Sequence, residues 1–215
     1  MTENSKDINR FRKLWQRNLL PGANDDSAAI FQQIVAAYAE PQRHYHTMVH
    51  IDHCLTMLDQ CHHLIGNPDA VELSIWFHDI IYEIGASDNE ARSAELYLQL
   101  SEHHHPAELR ERVNHLIMAT LHLSESIDDK DTQFMVDIDL SSFALPWTEF
   151  LRDSEKIRLE NPQMSNADYH KKARKFQRSL LCRKQFYLSD FFFQRLETQA
   201  RQNLADYFEY IGVQS

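Results

Sequence analysis

The sequence predicts an all-α fold, and three observations carry that prediction. Its 215 residues include only 4 glycines and 6 prolines, too few turn formers for a many-stranded β architecture. Apolar residues recur at helical spacing through most of the chain. The breaks between these stretches carry helix start signals, with Asn, Ser or Pro where the first turn begins. With 43% hydrophobic residues the chain is large enough to build a core without staples. No repeat, low-complexity linker or second boundary divides it. The expected organisation is one helical domain over 1–215, with 145–215 as a helical extension packed on the core.

The elements follow in order. Asp25 to Glu40 carries Ile30, Ile34, Val35 and Tyr38 on one face, after Asn24 as a candidate cap and before Pro41. A loop containing Arg43 to His46 leads into a helix through His50, Leu55, Leu58 and Leu64, closed by Gly66. The next helix starts after Asn67-Pro68 and is expected to carry His78 and Asp79. Ser87-Asp88-Asn89-Glu90 has the form of a capping box, which places a helix from about Asp88 to Ser101 and gives Glu90 a structural role. Pro106 suits the first turn of a helix running to about His122. After the polar gap SESIDDKD comes a segment holding Asp137 and Asp139, and Pro146 opens a helix towards Arg158. Amphipathic helices from about Ser165 to Leu181 and Ser189 to Tyr210 complete the chain.

Composition narrows the partners. The net charge is −10, with no block of Lys or Arg, so nucleic acid is not an expected partner. Cys54, Cys61 and Cys182 form no CxxC pair and leave one over, which fits reduced thiols in a cytoplasmic protein better than a disulfide framework. The polar start MTENSKDINRFRKLW lacks the apolar stretch of a secretory signal. No apolar run approaches the roughly 20 residues that span a bilayer, so no membrane association is expected.

The chemistry concentrates at His78-Asp79, inside the apolar segment WFHDIIYE. An imidazole and a carboxylate in such surroundings need partners, and a divalent transition metal satisfies both. Upstream lies RHYHTMVHIDH, and downstream VDIDL with Asp137 and Asp139. His46, His50 and His53 are spaced to share a helix face. A helix beginning near Thr47 turns His50 inward with Cys54 and Met57 or Leu58; His53 suits a partly exposed face. His46 has two readings, one behind the ligands and one as a loop hydrogen-bonder.

These segments resemble the HD superfamily of metal-dependent phosphohydrolases, whose ligand order is His, His-Asp, Asp. Here the order reads His50, His78-Asp79 and Asp139, and the first interval is 28 positions (78 minus 50). RHYHTMVH, IWFHDIIYE, DNEARSAEL, ATLHL and VDIDL, continued by IRLE and ARQNL, are similar to a bacterial branch of predicted HD phosphohydrolases, over most of the chain. The chain departs at Asn161, where that branch commonly has an aromatic residue.

The resemblance implies an HD-like helical bundle and one divalent transition metal held by His50, His78, Asp79 and Asp139. Two imidazoles and two carboxylates suit Mn, Fe, Co, Ni or Zn better than Mg or Ca. The implied activity is hydrolysis of a small phosphorylated molecule, with nucleotides among the candidates. Glu83 is read either as a group that orients water or accepts a proton, or as a solvated helix-end carboxylate. His122 is a candidate for a phosphate oxygen or a second metal, against an ordinary polar helix end. Arg43 is a candidate phosphate binder, against a salt bridge, and His46 a candidate substrate contact. His62, His63, His115 and His103 to His105 are expected to be structural or exposed. Two other functions stand beside this one: an iron-dependent oxygenase of the same fold, drawing extra ligands from His115 and His122, and a non-catalytic metal- or nucleotide-binding regulator.

Overall fold

Ten α-helices follow one another in the computed structural model, which describes residues 3–123 and 127–213, and no strand occurs among the described residues. The all-α expectation holds. Part of the polar gap, residues 124–126, lies outside the described residues. The sequence stretch at the amino terminus, read above only as polar, forms α1 (Glu3–Arg17). Phe11, Leu14 and Trp15 sit at helical spacing and are fully buried, and Arg10 ties the helix to Glu72 and Asp59 at 2.8 Å each.

Helix α2 (Ser27–Tyr38) starts two residues later than an Asn24 cap requires; the Asp25 carboxylate accepts from the Ser27 N–H instead. Helix α3 (Met48–Cys61) begins as expected, with the Thr47 hydroxyl accepting from the Val49 N–H. It passes into a 3-10 turn, His62–Leu64, before Gly66. Gly66 does not close the helix in a left-handed conformation. Its N–H is held by the Asp131 carboxylate at 2.7 Å, and an added Cβ would meet that carboxylate at 3.3 Å.

Helix α4 (Pro68–Phe77), capped by Asn67, is the central element, buried from Ala70 to Phe77. It packs against α1, α3, α5 (Asn89–Ser101), α6 (Ala107–Ala119) and α7 (Lys130–Asp139). A helix so largely apolar belongs in such a place, and its buried Glu72 is met there by Arg10. It ends before the His-Asp pair, contrary to expectation: His78 is its cap residue, and Asp79 lies in the turn beyond. Two other boundaries differ. The capping box at Ser87 to Glu90 does not form; Asn89 instead exchanges hydrogen bonds with the Glu83 backbone, both at 3.0 Å, and leaves Glu90 free of a capping role. Helix α6 stops at Ala119, and His122 takes a left-handed φ of 55°.

After α7 a 3-10 turn, Leu140–Ala144, packs against the long α10 (Asp190–Val213), while α8 (Trp147–Leu159) and α9 (Asn166–Leu181) lie between them in sequence. The carboxyl-terminal helices are bonded onto the core by name. Asn203 donates to the Phe143 and Leu145 carbonyls at 2.8 Å each. Asp137, fully buried, accepts from the Leu188 N–H, the Ser189 N–H and the Ser189 hydroxyl at 2.8, 2.7 and 2.6 Å. Asp137→Ala strands those three donors and is expected to lower stability by about 3 kcal/mol, read as the shift of the urea midpoint. No described helix is long and apolar enough to cross a membrane.

Candidate metal centre

Three helices deliver one cluster. His50 projects inward from the first turn of α3, His78 and Asp79 come from the end of α4, and Asp139 is the last residue of α7. The Nε2 atoms of His50 and His78 are 3.2 Å apart, and Asp139 Oδ1 lies 3.2 Å from the first and 3.4 Å from the second. Asp79 Oδ2 flanks them, 3.1 Å from His78 Nε2 and 3.9 Å from His50 Nε2. The tight triad is His50, His78 and Asp139, whose donor atoms all fall within 4.8 Å of one another. Bonds of about 2.0–2.2 Å to a transition ion put neighbouring donors about 3.0–3.4 Å apart, so this set fits such an ion.

Local bonding aims each donor. His78 Nδ1 lies 2.9 Å from the Ile75 carbonyl, which takes the ring proton and leaves Nε2 as the free donor. Asp139 divides its carboxylate, with Oδ1 towards the triad and Oδ2 accepting from His122 Nε2 at 2.8 Å. The charges reinforce one another. Burial alone disfavours charge on these groups, but Asp79 and Asp139 raise His78 well above the ordinary histidine value. Hydrogen bonds from His122, His50 and His78 hold Asp139 well below the usual carboxylate range against the same burial.

Arg43 has a different role from the phosphate binding expected of it. Its guanidinium is buried and donates to the Asp79 and Ile80 carbonyls at 2.6 and 2.9 Å and to Glu40 at 2.9 Å. These bonds satisfy carbonyls exposed where α4 ends, and so fix the turn that presents Asp79. Glu83 does not stand one helical turn beyond Asp79, because no helix is there; it lies among the residues lining the cavity onto which the cluster opens, with its carboxylate exposed and paired with Arg92 at 2.6 Å. His46 reaches the cluster's edge, with Nε2 3.9 Å from Asp79 Oδ2. His53 turns away to the Ser141 hydroxyl at 2.8 Å, and His115 is exposed. Of the two extra ligands the two-iron reading requires, only His122 is at the cluster.

Two carboxylates were not singled out for the site by sequence reasoning. Glu160, within the IRLE segment, has no exposed surface. Its Oε1 accepts from the backbone N–H groups of His44, Tyr45 and His46 at 2.7, 2.7 and 3.0 Å. Its Oε2 meets His46 Nδ1 at 2.6 Å and the Tyr82 hydroxyl at 3.0 Å. The signal was a lone Glu closing an apolar-faced helix, which cannot be told from a surface residue without its distant partners. Glu90, assigned to a cap, instead lines the site cavity, half-buried. Burial pushes its carboxyl up, and the negative charges of Asp79 and Asp139 add to the shift.

The cluster opens into a cavity of about 400 Å³. His46, Asp79, His122 and Asp139 line its polar end, while Phe143, Phe150, Phe176 and Tyr207 are among the aromatic rings on its walls. The volume is that of a small-molecule site. In comparisons with known proteins, no family model, no curated sequence and no solved structure matches the chain.

Proposed function

We propose that this protein is a metal-dependent phosphohydrolase of the HD type acting on a small phosphorylated molecule. The observation that carries the reading is the convergence of His50, His78, Asp79 and Asp139, from α3, the end of α4 and α7, beside a small-molecule cavity that Asp79 and Asp139 line. A divalent transition ion held by these four residues supplies, when bound, a water of lowered pKa and neutralises charge on the phosphoryl group.

The chain's own residues supply the rest. His122 holds Asp139 in place through the oxygen turned away from the triad. His46, fixed by Glu160 on one ring nitrogen, presents the other towards Asp79 and the cavity. Glu90, a half-buried carboxylate lining the cavity, takes the proton-handling role expected of Glu83, whose own carboxylate is exposed and paired with Arg92. The aromatic walls receive the organic part of the ester.

The test is metal analysis of the purified protein together with turnover of phosphate monoesters across Mn, Fe, Co, Ni and Zn. Bound metal with metal-dependent release of phosphate is the expected result. Absence of both metal and turnover removes the reading. Glu90→Gln is expected to keep the metal and lose about 10²- to 10⁴-fold in rate, the range for a general acid or base. An unchanged rate would remove Glu90 from the reaction and leave the metal centre standing.

A further inference from the structure

Helix α9 contributes one face to the cavity. Tyr169, Lys172, Ala173, Phe176 and Gln177 all line it and recur at intervals of three and four residues, which is one stripe of a helix. Gln177 differs from its neighbours. Its side chain is 7% exposed, and its Oε1 is buried with no hydrogen-bond partner. Buried amide oxygens are ordinarily satisfied, and this one, shielded from solvent on a residue that lines the cavity, is an acceptor without a donor that a turn of the carboxamide would offer to a ligand. Phe176, Phe150 and Tyr207 share the lining with it. Lys172, the single Lys or Arg among the described residues of the lining, sets a positive charge on the same face.

We infer that Gln177 is a specificity-determining residue: its carboxamide oxygen accepts a hydrogen bond from an N–H or O–H group on the aromatic part of an anionic phosphate ester. The assignment of the phosphoryl end rests on the phosphohydrolase reading; the recognition of the donor does not. The acceptor is buried, so a ligand lacking the donor leaves it unpaired. That mismatch discriminates more strongly than a change of size alone.

Calorimetric titration of the full-length protein with phenylphosphonate and with its 3- and 4-amino derivatives tests this without requiring turnover. The parent is expected to bind the better-placed amino derivative about tenfold more tightly than phenylphosphonate, the effect of one neutral hydrogen bond in a dry site. Gln177→Leu is expected to bind all three alike, at the parent's affinity for phenylphosphonate. Gln177→Glu keeps an acceptor and is expected to retain the preference, which guards against a folding defect in the leucine variant. Lack of preference in the parent, no binding of any of the three, or a preference that survives in Gln177→Leu would overturn the assignment. Turnover of phenyl phosphate, measured alongside, separates the two readings. Turnover without donor preference sinks the role of Gln177 alone, whereas donor preference without turnover of any ester removes the hydrolase and leaves the recognition.

Discussion

Asp139→Ala is expected to abolish bound metal and phosphoester turnover together, the largest functional effect of any single change in the chain. Asp139 is the one carboxylate in the tight triad, and its Oδ1 faces both His50 and His78. Removing it leaves two imidazoles and the flanking Asp79, a set that lacks an anionic donor between the rings. The adjacent His122→Ala is expected to act more mildly. It removes the hydrogen bond that orients Asp139 but no ligand, and the loss of such a partner usually weakens metal affinity about 10- to 100-fold. Asp79→Ala is expected to follow Asp139→Ala, because its Oδ2 is 3.1 Å from His78 Nε2. Metal content by mass spectrometry and release of phosphate from a generic ester, on each variant beside the parent, check the order. Full turnover in a metal-free Asp139 variant would remove the proposed mechanism.

Glu160→Ala is expected to have the largest effect on stability, about 3–5 kcal/mol, because one fully buried carboxylate holds together parts of the chain more than a hundred residues apart. Three backbone N–H groups, the His46 ring and the Tyr82 hydroxyl all lose their acceptor. Burial works against the charge, but the bonds from His46 and from the backbone of His46 and Tyr45 outweigh it and hold the carboxyl down at about 2. A carboxyl whose folded value is lowered stabilises the fold above its ordinary value, 4.5 here, and loses that contribution as pH falls towards 2. Denaturant unfolding at a series of pH values should therefore show an acid limb between those values that Glu160→Gln flattens. The same acid limb in parent and variant would mean that another group governs acid unfolding. Because Glu160 anchors the loop carrying His46, the variants should also lose turnover while retaining metal on His50, His78 and Asp139.

The helices were legible wherever a periodic apolar face coincided with a local start signal. Thr47, Asn67 and Ser165 each accept from a backbone N–H in the following turn, as short-range chemistry dictates. Helix α1 was equally legible in principle from Phe11, Leu14 and Trp15, but its charged residues masked the stripe. The missed boundaries share a cause: Ser87, Asn24 and Gly66 had the right residue types, yet competing side chains, near in sequence for the first two and distant for Gly66, settled the backbone differently. Asp131 holds Gly66, and Asn89 grips Glu83 where a capping box was expected.

The same division runs through the site. From sequence alone came the all-helical class and a set of His and Asp residues, at spacings and in an order that resemble a metal-binding pattern. Residue type determines donor chemistry, and a helical period determines which donors can share a face. Only the tertiary structure decided that Asp139 enters the cluster while Asp137, two residues earlier, bonds the segment before α10. It alone spent the Arg43 guanidinium on the Asp79 and Ile80 carbonyls, placed Glu90 in the cavity and made Glu160 the anchor of His46. The physical reason is that a side chain's role depends on which unsatisfied groups lie within hydrogen-bond reach of it. For Arg43 and Glu160 those groups are 36 to 116 positions away in the chain, where no local pattern can register them.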